Sequence, residues 1–293
     1  MADPSTGSAP AGAAGPPAGG ASPRARTRHR GVLWAGFLVV ALFLGALVVA
    51  LVSARRLQGS IPGTDTIVSL AAIHPGFLVG TTGGLVASPD GRTWSAARIP
   101  RELVAVASDG ATAYVLAGAD LKATSDLRTF RGVAVGVTGT VIAAGPGGSV
   151  YVANGRSLSV AGPGGAGRRL PVTLPTSQIL AMAVDPAEPG SLLAGGVPGL
   201  WRSDDAGATW TRLLGTPSQS VLFDPADPRR ILLATPGGVL VSANGGLQWR
   251  FTEMRLDVHG LSQENGKFFA VTSDRIVYGS PDGVGGWRPF ASR

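Results

Sequence analysis

The sequence predicts an all-β fold, a six-bladed β-propeller preceded by one N-terminal transmembrane helix. Three observations lead to this prediction: a repeat of about 39 residues, a high content of glycine and proline, and one apolar run near the N-terminus. The 293 residues include 44 glycines and 22 prolines, and only 15% are charged. This composition favours many short strands and turns over long helices.

Residues 1–30 are predicted to be a disordered cytoplasmic tail that ends in a basic flank. Residues 1–23 are mostly Ala, Gly, Pro and Ser, which offer almost nothing to bury. Residues 1–56 together hold +5 of the formal net charge of +7. The remainder of the chain is nearly neutral, and this argues against a nucleic-acid partner.

The 22 residues 31–52 are apolar and uncharged, which predicts a transmembrane helix. As a helix they would span roughly 33 Å, enough to cross a hydrocarbon core of about 30 Å. Four arginines precede the run and two follow it, so the positive-inside rule places the N-terminus in the cytoplasm and the large domain outside. Two alternatives stay open: a buried helix of a soluble domain, and a cleaved signal peptide that would release a secreted protein. Residues 53–66 are predicted to be a tether.

Residues 67–293 contain six similar units, each predicted to form one four-stranded blade. Two units align without gaps at an offset of 39 residues, one starting at Met182 and the other at Val221. The four weaker copies end at Trp94, Phe130, Leu170 and Trp287. About four β-rich runs per unit, separated by Gly, Pro, Asn or Asp, are typical of propeller blades. Ring closure stays open, because the first strand could complete the last blade or each blade could consist of consecutive strands.

The stretch SDDAGATW, residues 203–210, matches the Asp-box pattern Ser-x-Asp-x-Gly-x-Thr-Trp at every fixed position. Imperfect versions occupy residues 88–94, 242–249 and 280–287. Asp and Ser side chains accept hydrogen bonds from turn amides, and glycine tolerates positive φ, so the pattern predicts a structural turn rather than a catalytic loop. The predicted turn residues are Ser88, Asp90, Gly91, Trp94, Ser203, Asp205, Gly207, Thr209, Trp210, Ser242, Asn244, Gly246, Trp249, Ser280, Asp282 and Trp287.

Through these turns the sequence resembles the Asp-box, or bacterial neuraminidase repeat, β-propellers. That group includes sialidases and related glycosyl hydrolases, sortilin-like receptors and photosystem assembly-factor-like proteins. The resemblance covers nearly all of residues 67–293. It implies that each box is the hairpin between the third and fourth strands of a blade, on the rim away from any active site. It is specific for the fold and says little about function.

The resemblance to sialidases implies a testable catalytic set: three arginines, a tyrosine with a glutamate partner, and an aspartate acid/base. The three tyrosines, Tyr114, Tyr151 and Tyr278, fall in strand-like runs and are predicted to be blade core. An Arg-Ile-Pro triplet at residues 98–100 follows the first box, whereas in sialidases it precedes that box. No catalytic residue is therefore predicted. A membrane-anchored, sialidase-like exo-glycosidase remains the alternative function, because other glycosidases use only Asp and Glu.

No cofactor and no metal site is predicted. The chain has no cysteine, and its three histidines, His29, His74 and His259, are far apart in sequence. The Gly-Gly pairs recur at predicted blade turns rather than in the strand-to-helix context of a phosphate loop. All six tryptophans are assigned to the apolar run, to box turns or to the core, so no exposed sugar-stacking platform is expected.

The leading functional prediction is a non-catalytic propeller outside the cytoplasmic membrane of a bacterial cell. It would bind a protein partner or a polymer such as a polysaccharide, as an assembly factor or receptor-like scaffold does. A purely structural wall-associated module is a weaker alternative. The contact surface is expected opposite the boxes, where the loops after the second and fourth strands lie. The candidate binding residues are Arg98, Arg101, Glu102, Arg156, Arg250, Glu253, Arg255, Asp257, His259, Asp274 and Arg275.

Overall fold

The structure is a computed structural model that describes residues 59–97, 99, 102–163 and 165–290. The predicted tail, the predicted transmembrane helix of residues 31–52, and residues 53–58 of the tether lie outside these residues. Within the described part of the chain, no helix is long and apolar enough to span a membrane.

The described residues form six four-stranded antiparallel sheets, and each sheet is built from four consecutive strands. This confirms the predicted six-bladed β-propeller. Blades one and two comprise β1 (Ile67–Ile73), β2 (Gly76–Thr81), β3 (Gly84–Ser88), β4 (Ser95–Ala96), β5 (Val104–Ser108), β6 (Ala113–Ala117), β7 (Asp120–Thr124) and β8 (Arg131–Val135). Blades three and four comprise β9 (Val141–Ala144), β10 (Val150–Asn154), β11 (Ser157–Ala161), β12 (Arg168–Thr173), β13 (Ile179–Val184), β14 (Leu192–Gly196), β15 (Leu200–Ser203) and β16 (Thr211–Leu214). Blades five and six comprise β17 (Ser220–Asp224), β18 (Asp227–Thr235), β19 (Gly238–Ser242), β20 (Arg250–Phe251), β21 (Val258–Glu264), β22 (Lys267–Thr272), β23 (Val277–Ser280) and β24 (Arg288–Pro289).

Burial falls from the middle of each blade to its outer edge, and the strand sequences follow this gradient. All residues of β2, β6 and β14 are buried, because these second strands are covered on both faces by neighbouring blades. Such strands are continuous apolar or small-residue runs instead of alternating ones. The outer strand β12 is mostly exposed and contains arginine, threonine and proline. Blade three therefore presents a polar outer strand to solvent.

The hydrophobic core consists of six clusters, and each cluster combines residues from two neighbouring blades. In one of them, Leu78 of blade one packs with Val104 and Val115 of blade two. Six interfaces for six blades mean that the ring is closed, and the seam between blades six and one is as apolar as the others. Phe77, Phe269 and Phe290 meet there edge to face, with ring centroids 4.9–5.3 Å apart.

The ring is also closed by a contact between the segment before the first blade and the last blade. Ser60 forms an isolated antiparallel bridge with Ile276, the residue that precedes the third strand of blade six, next to the end of the short outer strand β24. Ile61, which follows, is buried in the seam between blades six and one. The last residues of the predicted tether therefore pack on the propeller and join its end to its beginning.

Blade three forms four strands although its unit lacks the serine and tryptophan of the box. Its outer strand β12 pairs with β11 through Arg168 and Arg169. The inner strands of this blade supply Val141, Val152 and Leu158 to the interfaces on either side. Burial of the inner strands is thus enough to form a blade, and the box is an addition to it.

Candidate interaction surface

The alternation of strand direction gives the ring two faces. The turn face carries the turns between first and second strands and the outer turns, which we define as the turns between third and fourth strands. The connection face carries the loops between second and third strands and the segments that join one blade to the next. The opening of the central channel on each face is surrounded by these segments.

The outer turn of blade four, residues 204–210, is held together by Ser203 and Asp205. The Asp205 carboxylate accepts hydrogen bonds from the Thr209 amide at 2.8 Å and the Thr209 hydroxyl at 2.6 Å, and Ser203 Oγ accepts one from the Gly207 amide at 2.8 Å. The Thr209 hydroxyl is the main cause that lowers the pKa of Asp205 to about 2. A carboxylate with these hydrogen bonds inside its own turn and with so low a pKa is a poor candidate for acid/base chemistry near neutral pH.

The same arrangement recurs in other blades with small substitutions. Asp90 accepts hydrogen bonds from the Thr93 and Arg92 amides, and the Thr93 amide is the main cause that lowers the pKa of Asp90 to about 2. Asn244 takes the place of the aspartate in blade five and accepts from the Gln248 amide at 2.9 Å. Among the predicted turn tryptophans, Trp210 donates within its own turn to Gly207 O at 3.1 Å.

The turns of blades two and six depart furthest from the pattern; Asp282 is among the predicted turn residues, and Asp126 is not. Asp126 of blade two accepts from the Thr129 and Arg128 amides at 2.7 and 2.9 Å, and these bonds lower its pKa. Asp282 of blade six accepts from the Val284 and Gly285 amides, which also lowers its pKa. The turn sequence of blade two is shortened, but its Asp and Thr keep the spacing that the hydrogen bonds require.

Each of four outer turns rests on the preceding blade. A methyl group placed on Gly246 of blade five would lie 2.5 Å from Leu213 Cδ1 of blade four. Equivalent contacts join Gly207 to Val172, Gly283 to Leu232, and Gly91 to Phe290 of blade six. The outer turns therefore serve the packing between blades, and their glycines leave room for the neighbouring side chain.

The first strands of all six blades line a central channel with a volume of about 440 Å³. Hydroxyl groups join neighbouring inner strands on one side of the ring: Ser69 Oγ accepts from the Val106 amide, Ser220 Oγ from the Leu261 amide, and Ser262 Oγ from the Ala72 amide, at 2.8–2.9 Å. These bonds hold the inner strands of neighbouring blades in register. The three hydroxyl oxygens are thus hydrogen-bonded within the protein.

The described channel lining includes one carboxylate, that of Asp109. It accepts hydrogen bonds from the Ala111 and Thr112 amides and from the Tyr114 hydroxyl. Burial, followed by the charge of Asp109, raises the pKa of Tyr114 to about 12, which makes this phenol a poor nucleophile. Glycoside hydrolysis ordinarily needs two carboxyl groups across a site, and the described lining does not supply a pair.

The connection of residues 250–260 contains more of the candidate binding residues than any other segment. Its charged side chains make separate contacts and do not converge on one point. Arg250 is exposed on β20, and the Glu253 carboxylate accepts from the Gly286 amide of the next outer turn at 2.8 Å. Arg255 lies over the Phe251 ring at 4.2 Å. Asp257 Oδ2 is 3.3 Å from His259 Nε2, and neither residue lines the channel.

The remaining candidate residues are spread around the ring. Glu102 lies beside Gly118 of blade two, and Arg156 of blade three donates to Pro175 O at 3.3 Å. Asp274 accepts from the Thr272 hydroxyl and, at 3.5 Å, from the Tyr278 hydroxyl. Arg275 is occupied with the residues before β1. Arg98 and Arg101 lie outside the described residues. The described candidates therefore do not form one cluster.

Exposed apolar side chains mark the connection face instead. Seven large hydrophobic residues are exposed in the described part of the chain: Leu103, Val135, Leu180, Val197, Leu247, Phe251 and Leu256. Leu103 and Leu256 lie in blade connections, Val197 lies in a loop between second and third strands, and Leu180 stands at the channel opening. The sequence-based candidates were charged residues and His259, so these apolar side chains were not among them. The available signal was the position of Val197 in a loop and of Leu256 in the connection of residues 250–260.

The described residues contain no group of three or more His, Asp or Glu side chains placed to hold an ion. Of the two described histidines, His259 has a carboxylate partner, Asp257.

Comparison with known proteins identifies the fold. No family model matches the sequence. No curated protein matches it either. A chain in the crystal structure of a nidogen/laminin complex has a TM-score of 0.58 at 14% identity, over 73% of this chain and 92% of that one. The GH74 enzyme from Niastella koreensis has a TM-score of 0.52 at 14% identity, over 77% of this chain and 37% of the enzyme.

The extracellular domain of BT4673 from B. thetaiotaomicron has a TM-score of 0.51 at 15% identity, over 76% of this chain and 34% of that one. This protein thus spans about a third of the length of the GH74 enzyme and of the BT4673 chain. Identities of this size show a shared architecture and nothing finer. By fold, the described chain is a six-bladed β-propeller with neighbours among proteins of different activities.

Proposed function

We propose that this protein is a non-catalytic, membrane-anchored propeller that binds a protein partner outside the cytoplasmic membrane, through its connection face. The observation that supports the proposal most strongly is the exposure of Leu103, Leu180, Val197 and Leu256 on that face, with Leu180 at the channel opening. Exposed apolar groups rimmed by polar residues are typical of protein-binding surfaces.

The chemistry of the face favours a protein over other partners. Its charges have both signs, since it carries Glu102 and Asp274 as well as Arg156 and Arg255, so a polyanion would gain little. The five described tryptophans are all half-buried, which leaves no flat aromatic platform for a sugar. The stacked pair of Arg255 and Phe251 provides the type of aromatic and guanidinium group found at interface anchors.

Membrane anchoring is the second part of the proposal and rests on the apolar residues 31–52. Only six residues separate this run from Gly59, where the described chain begins. Even when fully extended, those residues reach about 20 Å. A partner of this propeller would accordingly be met close to the membrane surface.

Site-specific photocrosslinking in intact cells tests the proposal. A photoreactive amino acid would replace Leu180, Val197 or Leu256 in the full chain, and Leu247 would be the control, because it is equally apolar but lies on the turn face. We expect one recurrent protein adduct from the three connection-face positions and none at the control. Adducts that are the same at all four positions, or an absence of adducts, would contradict the proposed surface.

Membrane attachment is tested separately by carbonate extraction and by protease protection of the same cells. A chain that stays in the membrane fraction, with its propeller accessible from outside, agrees with the anchor. A fully soluble, processed chain would reject the anchor while leaving the crosslinking result to decide on the binding face.

A further inference from the structure

We infer that the outer edge of blade two is a self-association surface, where β8 pairs antiparallel with β8 of a second copy of this chain. The outer strand of a blade pairs on one side only, so its other side presents free amide and carbonyl groups. Such an edge accepts a further strand unless its length, a proline or a charged side chain prevents it.

Five of the six outer strands carry one of these obstacles. β4, β20 and β24 have only two residues each, and β12 has Pro171 in its middle. In β16 the charged residue, Arg212, lies inside the strand, where it donates to Pro198 O, whereas the charged residue of β8, Arg131, is the first of its strand. β8 is different: after Arg131 its sequence is Gly-Val-Ala-Val, with no charge and no proline.

The space beside β8 is open. Val135, at the end of the strand, is 75% exposed, the largest exposure among the large hydrophobic residues of the described strands. A methyl group placed on Gly132 or on Gly136 would meet no atom within 4 Å. β8 has a bulge opposite β7, but so do β12 and β16, so the bulge does not set this strand apart.

The charges at the two ends of this edge indicate which strand would add to it. The beginning of β8 carries a net positive charge: Arg131 itself, Arg128 in the preceding turn and Lys122 on β7 outnumber the one carboxylate there, Asp126, which is hydrogen-bonded within its own turn. The end of β8 is acidic, because Val135 pairs with Asp120, and Glu102 lies beside the adjoining loop. Within the described residues, none of these charged groups forms an ion pair.

An edge that is positive at one end and negative at the other is complementary to itself when reversed. In an antiparallel pair, Arg131 of one copy would face the end of β8 in the other, about two strand spacings or roughly 10 Å from the Asp120 backbone. Two long charged side chains can bridge that gap. The contact is isologous, so it forms a closed dimer and does not extend into a filament.

Two five-residue edges bury less than a standard interface, so the dimer is expected to be weak in dilute solution. Attachment to one membrane would raise the local concentration enough to populate it. The inference goes beyond the proposed function, because β8 lies on the rim of the ring and shares only Glu102 with the connection face. Its test in vesicles rests on the proposed anchor, and carbonate extraction of the same vesicles shows separately whether the chain is attached.

Energy transfer in vesicles tests this inference with the full chain. The chain has no cysteine, so a Leu247→Cys variant carries one dye site, on blade five and away from blade two. We expect transfer between labelled copies at low surface density. Arg131→Glu should raise the apparent dissociation constant at least tenfold, and Arg131→Glu combined with Asp120→Lys should restore it. Arg168→Glu, on the outer strand of blade three, is the matched control and should change nothing.

The variant positions are exposed, so the far-UV spectrum and the thermal midpoint are expected to match those of the parent chain. Transfer that is insensitive to Arg131→Glu would overturn the inference, since the copies would then meet elsewhere. Absence of transfer at every density would overturn it as well. A failed restoration in the doubly substituted chain would exclude the antiparallel arrangement.

Discussion

Arg275 and Ile61 form a reciprocal pair across the ring seam. The Ile61 amide donates to Arg275 O at 2.8 Å, and Arg275 Nε donates to Ile61 O at 2.8 Å. The same guanidinium also donates to Pro62 O and Asp65 O. One side chain of the last blade thus holds three carbonyls of the segment that precedes the first.

Removal of this side chain should loosen the seam. We expect Arg275→Ala to lower the free energy of unfolding by about 2 kcal/mol, the usual contribution of hydrogen bonds from a charged donor. Hydrogen exchange should become faster at the Ile61 amide before it changes elsewhere. Arg229→Ala is the control, because the Arg229 side chain is 79% exposed and its only ion pair within the described residues is to Asp227. Equal effects of the two variants would argue against a special role for Arg275.

The aromatic cluster at the seam should contribute more than the hydrogen bonds. Phe269 is 3% exposed and contacts the rings of Phe77 and Phe290. Phe269→Ala is expected to lower the free energy of unfolding by about 3–5 kcal/mol, as measured for buried phenylalanines in other proteins. The exposed Phe251 offers a comparison, since Phe251→Ala loses mainly its contact with Arg255, worth about 1 kcal/mol or less. Urea unfolding of both variants provides the measurement.

Neighbouring blades approach so closely at Gly80 that a side chain cannot be added there. A methyl group on this residue would lie 2.1 Å from Val104 O of blade two. Gly80→Ala should therefore destabilise the protein by about 3 kcal/mol. Gly132→Ala, in open space on β8, should change stability by less than about 1 kcal/mol. Similar thermal midpoints for the two variants would show that blades one and two can move apart to admit a methyl group without loss of stability.

The carboxylates of the outer turns should make the free energy of unfolding depend on pH in the acidic range. The folded pKa of Asp205 is about 2, below the value near 3.9 of an unfolded chain. A depressed pKa stabilises the fold above pH 4, and this stabilisation is lost as the pH falls toward 2. Asp205→Asn should lower the urea midpoint at pH 7, and the difference from the parent chain should shrink between pH 4 and pH 2. A difference that stays constant over this range would mean that the Asp205 charge does not stabilise the turn.

The repeat was sufficient to predict six blades because blade formation depends on a local pattern that recurs in each unit. Short apolar runs between turn residues become second strands such as β6, which are buried on both faces. The turn role of Asp205 could also be anticipated, since its partners lie within four residues. Contacts within one unit involve residues at fixed separations, and these separations recur in the sequence of each repeat.

Contacts between distant units leave no such trace. The pairing of Ser60 with Ile276 joins segments more than 200 residues apart, and neither has a distinctive composition. The role of Arg275 depends on that pairing, so its three carbonyl partners could not be foreseen. The exposure of Leu180 likewise depends on the width of the channel, which only the assembled ring determines.

The seating of four outer turns on the preceding blade has a consequence for how such a ring can change. The contact is heterologous, because the turn surface at Gly246 meets a different surface at Leu213, and it recurs head to tail at four of the six junctions. At these junctions, gain or loss of a whole unit leaves no turn and no receiving surface unmatched. A break inside such a unit leaves one of each. At these four junctions the repeat, rather than the residue, is the smallest segment whose gain or loss keeps the contact complete.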